Sequence, residues 1–196
     1  MRDTGIGAVV PDRSTIVIHF GLFAAAYTVV ALPVLLSVQP TFIHVGMTAL
    51  LGLALAALSA IDIDCLRLPD VLTLALVAAG LTFNFLLRWD DPWLRVLAAL
   101  AGYGVLWSVA HIYERTRGQA GLGLGDAKLF AAAGAWTGFE GLASVLLLAS
   151  LTALVWAGFC AVRGQAVSRR TRVPFGPFLA FGLWWVWLYG PATFAI

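Results

Sequence analysis

The stretch GLGLGDAKLFAAAGAWTGFEG, residues 121–141, decides how the chain folds. One acid, Asp126, separates alternating glycines (Gly121, Gly123, Gly125) from an apolar run that ends at Thr137. The run from Ala127 to Thr137 makes about 16 Å of helix, against a hydrocarbon core about 30 Å thick. Residues 138–141 (GFEG) then break the pattern, and 142–162 supply a second, full-length apolar run. As one helix, 127–162 would reach about 54 Å, too long to span a bilayer without heavy tilt. Two helices are expected here, the first of them short.

The rest of the chain sets the solvent. Of its 196 residues, 61% are hydrophobic and only 11% charged, against roughly a quarter charged in a soluble domain. Its mean hydropathy is +0.93. So much apolar surface requires lipid, and lipid admits only helices or closed barrels. The alternating pattern of a barrel strand is absent. Further apolar runs cover 15–38, 41–61, 71–87, 93–113 and roughly 175–191. The expectation is an all-α polytopic membrane protein with about seven transmembrane helices, six if the short fifth is re-entrant. Residues 1–14 read as a short cytoplasmic lead-in without signal-peptide features, and 15–196 as a single transmembrane domain. Gln39 and Pro40 read as a tight turn. Gly52 and Ala56 have the small-xxx-small spacing that lets helices approach.

A net charge of +2 gives no reason to expect nucleic acid as a partner. Cys65 and Cys160 are the two cysteines, and no C-x-x-C pair exists, so neither a disulfide framework nor a metal or other cofactor is expected. His19 and His44 have no metal-ligand spacing and read as interfacial.

Charge gives the orientation. With seven spans, one side holds the N-terminus and loops 62–70, 114–126 and 163–173. Ten of the twelve basic residues fall there: Arg2, Arg13, Arg67, Arg115, Arg117, Lys128, Arg163, Arg169, Arg170 and Arg172. Arg88 and Arg95 fall on the other. The basic side is expected to be cytoplasmic. Run two then ends at Asp62 on the side where the run after Asp126 begins. The span count thus brings to one boundary two acids that are remote in sequence.

Asp64, Asp70 and Asp90 read as solvated acids of the boundary loops. Asp126 differs, because Gly121, Gly123 and Gly125 leave an unobstructed backbone past which a substrate strand would fit. The helix start after Asp126 favours an anion, and the helix end at Asp62 disfavours one. Held together, two carboxylates share a proton. That is the state in which one acid activates water and the other protonates a carbonyl.

These residues resemble the type IV prepilin leader peptidases, in the GxGD class of intramembrane aspartic proteases. One match is Gly123-Leu124-Gly125-Asp126 through Ala127, Lys128 and Leu129 to Gly134-Ala135-Trp136. A second is Ile61-Asp62-Ile63-Asp64 followed by Leu68-Pro69-Asp70 and Thr73. A third is Pro174-Phe175-Gly176-Pro177-Phe178-Leu179-Ala180. Three motifs in order, over roughly residues 45–190, make the likeness specific. It implies an aspartic endopeptidase with Asp62 and Asp126 as catalytic residues. It implies removal of a short basic leader from prepilins or type II secretion pseudopilins, at the cytoplasmic face of a bacterial inner membrane. Lys128 matches a family position and is expected either to support the site or to touch substrate. Pro174, Gly176 and Pro177 would line the site or open the last helix, where proline suits a first turn. Asp64, Asp70 and Glu114 would attract a basic leader, or simply be solvated.

One departure stands out. Full-length members pair the peptidase with N-methylation and a tetracysteine zinc domain. Without a C-x-x-C pair, and with only fourteen residues before the first run, peptidase activity without methyl transfer is expected. The rival class is a non-proteolytic transporter or relay that uses the two aspartates for proton or ion coupling. Such a protein would show charges near the midplane and repeated, broken helices. Here the acids sit at the boundary, and no internal repeat is seen.

Overall fold

The computed structural model describes residues 13–37, 42–87, 91–117, 123–163 and 174–191. Residues 1–12 of the expected lead-in, the Gln39–Pro40 turn, Arg88, Asp90, Gly121 and the arginines of 164–173 lie outside these residues, and the last two residues of that lead-in, 13 and 14, are already helical in α1. The described residues form α1 (Arg13–Ser37), α2 (Phe42–Cys65), α3 (Asp70–Leu87), α4 (Pro92–Arg117), α5 (Leu124–Val162) and α6 (Gly176–Tyr189). Five of these, α1 to α5, are long and apolar enough to cross a membrane. This is a polytopic, all-helical membrane bundle.

α5 is continuous except at Gly138, where φ 71° and ψ −171° leave the helical region. Its neighbours show what the break does. Trp136 packs edge-to-face on Trp187 of α6, with ring centroids 5.1 Å apart. Just past the break, a Cβ on Gly141 would lie 3.3 Å from Val186. Further on, Trp156 reaches Phe178, with centroids 6.1 Å apart. Residues 139–162 therefore run back along α6, whereas 124–137 run with it. α5 is two antiparallel segments, as the length argument expected. The first is 14 residues, about 21 Å of helix. Arg95 of α4 closes its open end by donating from Nη1 to the Trp136 carbonyl at 2.8 Å. A cation there meets the negative end of the helix dipole. Trp136 Nε1 donates to the Leu76 carbonyl at 2.8 Å, which ties the same end to the middle of α3.

Lipid supplies little hydrophobic force between helices, so close packing and polar bonds join them. Gly52 of α2 faces the Trp184 ring, and a Cβ there would sit 2.9 Å from it. Trp184 Nε1 donates to the Tyr27 carbonyl of α1 at 3.1 Å. Trp187 Nε1 donates to Thr48 Oγ1 of α2 at 3.1 Å. These bonds set α1, α2 and α6 side by side.

The expected boundaries needed one correction that matters. α2 does not stop before Asp62 but runs on to Cys65. It ends at Leu66, whose φ of 51° is left-handed and whose amide donates back to the Asp62 carbonyl at 2.8 Å. Pro69 then holds Leu68 out of the helical region. Asp62 and Asp64 are therefore helical residues that face different neighbours, not members of a loose turn.

Candidate active site

Asp62 and Asp126 lie at one end of the bundle and are 5% and 6% exposed. Each comes from a different helix end. Asp62 sits in the last turn of α2, and Asp126 in the first turn of α5. Gly123 precedes α5 in an extended conformation, and its carbonyl accepts from the Asp126 amide at 3.1 Å.

The last helix supplies the support for Asp62. The Gly176 amide donates to Asp62 Oδ2 at 3.0 Å, across 114 positions of sequence. The fit has no slack, since a Cβ on Gly176 would lie 2.6 Å from the same oxygen. Pro177 follows in the first turn of α6, where its missing N–H leaves nothing unsatisfied. Pro174 is half-buried at the approach to that turn.

The glycines before Asp126 do not all leave open space. A Cβ on Gly125 would lie 2.8 Å from Leu68, so Gly125 lets the α2–α3 loop close onto α5. Close packing, rather than room for a strand, explains that residue. A Cβ on Gly123 would instead face Asp126 Oδ2, at 3.5 Å.

The neighbouring charges are paired. Lys128 Nζ bonds Asp70 Oδ1, bridging α5 and α3, and Asp70 remains 63% exposed. Asp64 is not the solvated acid expected. Its side chain is 6% exposed, and Oδ1 takes His19 Nδ1 of α1 at 3.0 Å. Its Oδ2 is buried without a hydrogen-bond partner. His19 was not singled out as a site residue. Only the packing of α1 on α2 reveals it, 45 positions from its partner. Among the described residues, no three His, Cys, Asp or Glu side chains gather as metal ligands do.

The geometry can be set beside known proteins. Residues 49–158 match the model of the type IV leader peptidase family. A prepilin leader peptidase/N-methyltransferase of Aeromonas salmonicida is 43% identical over 142 residues, covering 72% of this chain and 48% of that protein. Its namesake in Burkholderia pseudomallei is 42% identical over 129 residues, covering 66% and 41%. The Pseudomonas aeruginosa protein of that name is 38% identical over 148 residues, covering 74% and 50%. The chain spans about half the length of the curated relatives it matches. No solved structure matches it. With more than half of its residues under the family model, and Asp62 and Asp126 both inside that span, the chain belongs to the type IV leader peptidase family.

Proposed function

We propose that the chain is a membrane-embedded aspartic endopeptidase that removes the basic leader from type IV prepilins or type II secretion pseudopilins. The observation that carries this reading is the burial of two carboxylates, Asp62 in the last turn of α2 and Asp126 in the first turn of α5, at one end of an apolar bundle. The relatives, each a prepilin leader peptidase/N-methyltransferase, support prepilins as the substrate class. The excess of basic residues that the sequence assigns to the side carrying Asp62 and Asp126 supports the cytoplasmic face of the inner membrane.

In this mechanism the carboxylates hold a water between them. One takes a proton from the water, whose oxygen bonds to the scissile carbonyl carbon. The other gives a proton to the carbonyl oxygen. Collapse of the tetrahedral adduct breaks the C–N bond, and the leaving amine takes a proton from the pair. The Gly176 amide fixes the angle at which Asp62 meets the water. Lys128 and Asp70 brace the start of α5 from outside the pair.

The test is incubation of the purified protein with a prepilin, with leader loss followed by mass. The wild type is expected to shorten the precursor, and Asp62→Ala and Asp126→Ala to leave it intact. Cleavage that survives Asp62→Ala would overturn the reading. A transporter or relay would leave the precursor intact in every case.

A further inference from the structure

α1 lies outside the matched family region, yet it is tied to α2 close to Asp62. His19 Nδ1 stands 3.0 Å from Asp64 Oδ1. About two turns further along α1, the hydroxyls of Tyr27 and Ser59 are 3.2 Å apart. Tyr27 is held a second time, because its carbonyl accepts from Trp184 of α6 at 3.1 Å. The middle of α1 is thus fixed to α2 and α6, the helices that carry Asp62 and Gly176. His19 extends that hold to the end of the bundle where Asp62 lies.

Asp64 occupies an unfavourable place. It lies in the last turn of α2, where the helix dipole disfavours an anion. Its side chain is 6% exposed, and among the described residues its Oδ2 has no hydrogen-bond partner. The imidazole of His19, itself 31% exposed, offsets that burial through Oδ1. Taking one partner from a buried polar pair leaves the other with its full desolvation penalty. Without His19, Asp64 is driven towards water. The last turn of α2 is the part that can yield, since helix ends open far more readily than helix middles. That turn is closed by the bond from the Leu66 amide to the Asp62 carbonyl at 2.8 Å. Opening it releases Asp62, whose carboxyl must stay on the Gly176 amide.

Resting on the peptidase reading above, we infer that His19 is a positioning residue for Asp62. By satisfying Asp64 it keeps the last turn of α2 wound, and the wound turn keeps the Asp62 carboxyl in place. It acts through Asp64 and not on the reacting atoms.

The experiment follows two readouts for the full chain in lipid nanodiscs. Deuterium uptake of residues 62–66, measured by mass spectrometry, reports the turn without any substrate. The kcat and KM for a prepilin, per folded molecule, report the site. His19→Ala is expected to speed exchange of 62–66 by about tenfold or more. It is expected to lower kcat about tenfold and to leave KM within about twofold. His19→Asn sets an amide donor near the place of Nδ1 and is expected to stay within about threefold of wild type in both readouts. Adding Asp64→Leu to His19→Ala removes the buried carboxyl that opens the turn. The double variant is expected to exchange as slowly as wild type and to cleave about fivefold or more faster than His19→Ala. Unchanged exchange in His19→Ala would overturn the inference, since water would then have replaced the imidazole. A change in KM alone would overturn it too, as the mark of a contact with substrate. So would a double variant no better than the single, as the mark of a tie that only docks α1. If circular dichroism shows His19→Ala unfolded, His19→Phe, which fills the space without a donor, takes its place under the same criteria. If the wild type cleaves nothing, the peptidase reading has failed. Exchange of 62–66 then decides alone: faster in the single variant and restored in the double supports the inference, and any other pattern overturns it.

Discussion

At the scale of single residues, the site rests on contacts with no slack. Gly176 is the clearest case, because its amide holds Asp62 and its α-carbon leaves no room for a methyl group. Gly176→Ala favours the helix itself, by up to about 1 kcal/mol. Loss of stability is therefore not the expected result. Displacing the Asp62 carboxylate is, and a misplacement of about 1 Å costs on the order of 10²-fold in rate. Cleavage should fall by about that factor with the melting temperature held; a wild-type rate would remove Gly176 from the site. The acids themselves were legible in the sequence, because an acid at the end of an apolar run stands out. Gly176 was also singled out, but the bonds that hold the acids were not legible. The Gly176–Asp62 bond joins residues 114 positions apart, and the His19–Asp64 pair joins residues 45 apart. Nothing local marks either contact. Gly125 was misread for a related reason, since a glycine that admits a substrate and one that admits Leu68 look alike in sequence.

At the scale of elements, the device that matters is the break in α5. Its existence was legible from length alone, because a bilayer limits how far one helix can run. Its cause is a single residue, Gly138, in a backbone region that only glycine enters readily. Gly138→Ala is expected to cost about 1–3 kcal/mol. Unfolding in denaturant, compared with wild type, measures it, and an unchanged midpoint would show that the turn tolerates a side chain. Arg95 was counted in the sequence as an outer charge, yet its guanidinium seals the end of the short segment. The end of α2 was misplaced by about a turn. The polar letters Asp62 and Asp64 read as a loop, but both are helical, and each side chain bonds a distant partner: Gly176, which the sequence placed at the site without naming this bond, and His19, which it read as interfacial.

For the molecule as a whole, helices α2, α5 and α6 bring their ends together at one face, and α1 closes the side. The fold class and the number of segments were legible, since composition and run length set them. How α1 packs was not, because a helix that is apolar all round shows no preferred face. Orientation is argued from the charge asymmetry, and Cys65 can report it. It is exposed at the aspartate end, whereas Cys160 is buried. A membrane-impermeant maleimide is expected to label Cys65 in inverted vesicles and not in right-side-out ones. The opposite pattern would reverse the orientation.

The central claim is that Asp62 and Asp126 act as one unit. Groups that act together are strongly non-additive, so losing one costs about as much as losing both. The measurement is the leader-cleavage rate of Asp62→Asn, Asp126→Asn and the double variant, each checked for native helicity. Each single change should reduce the rate by at least about 10³-fold, and the double no further. A single variant within tenfold of wild type, or a double variant as slow as the product of two independent losses, would contradict it.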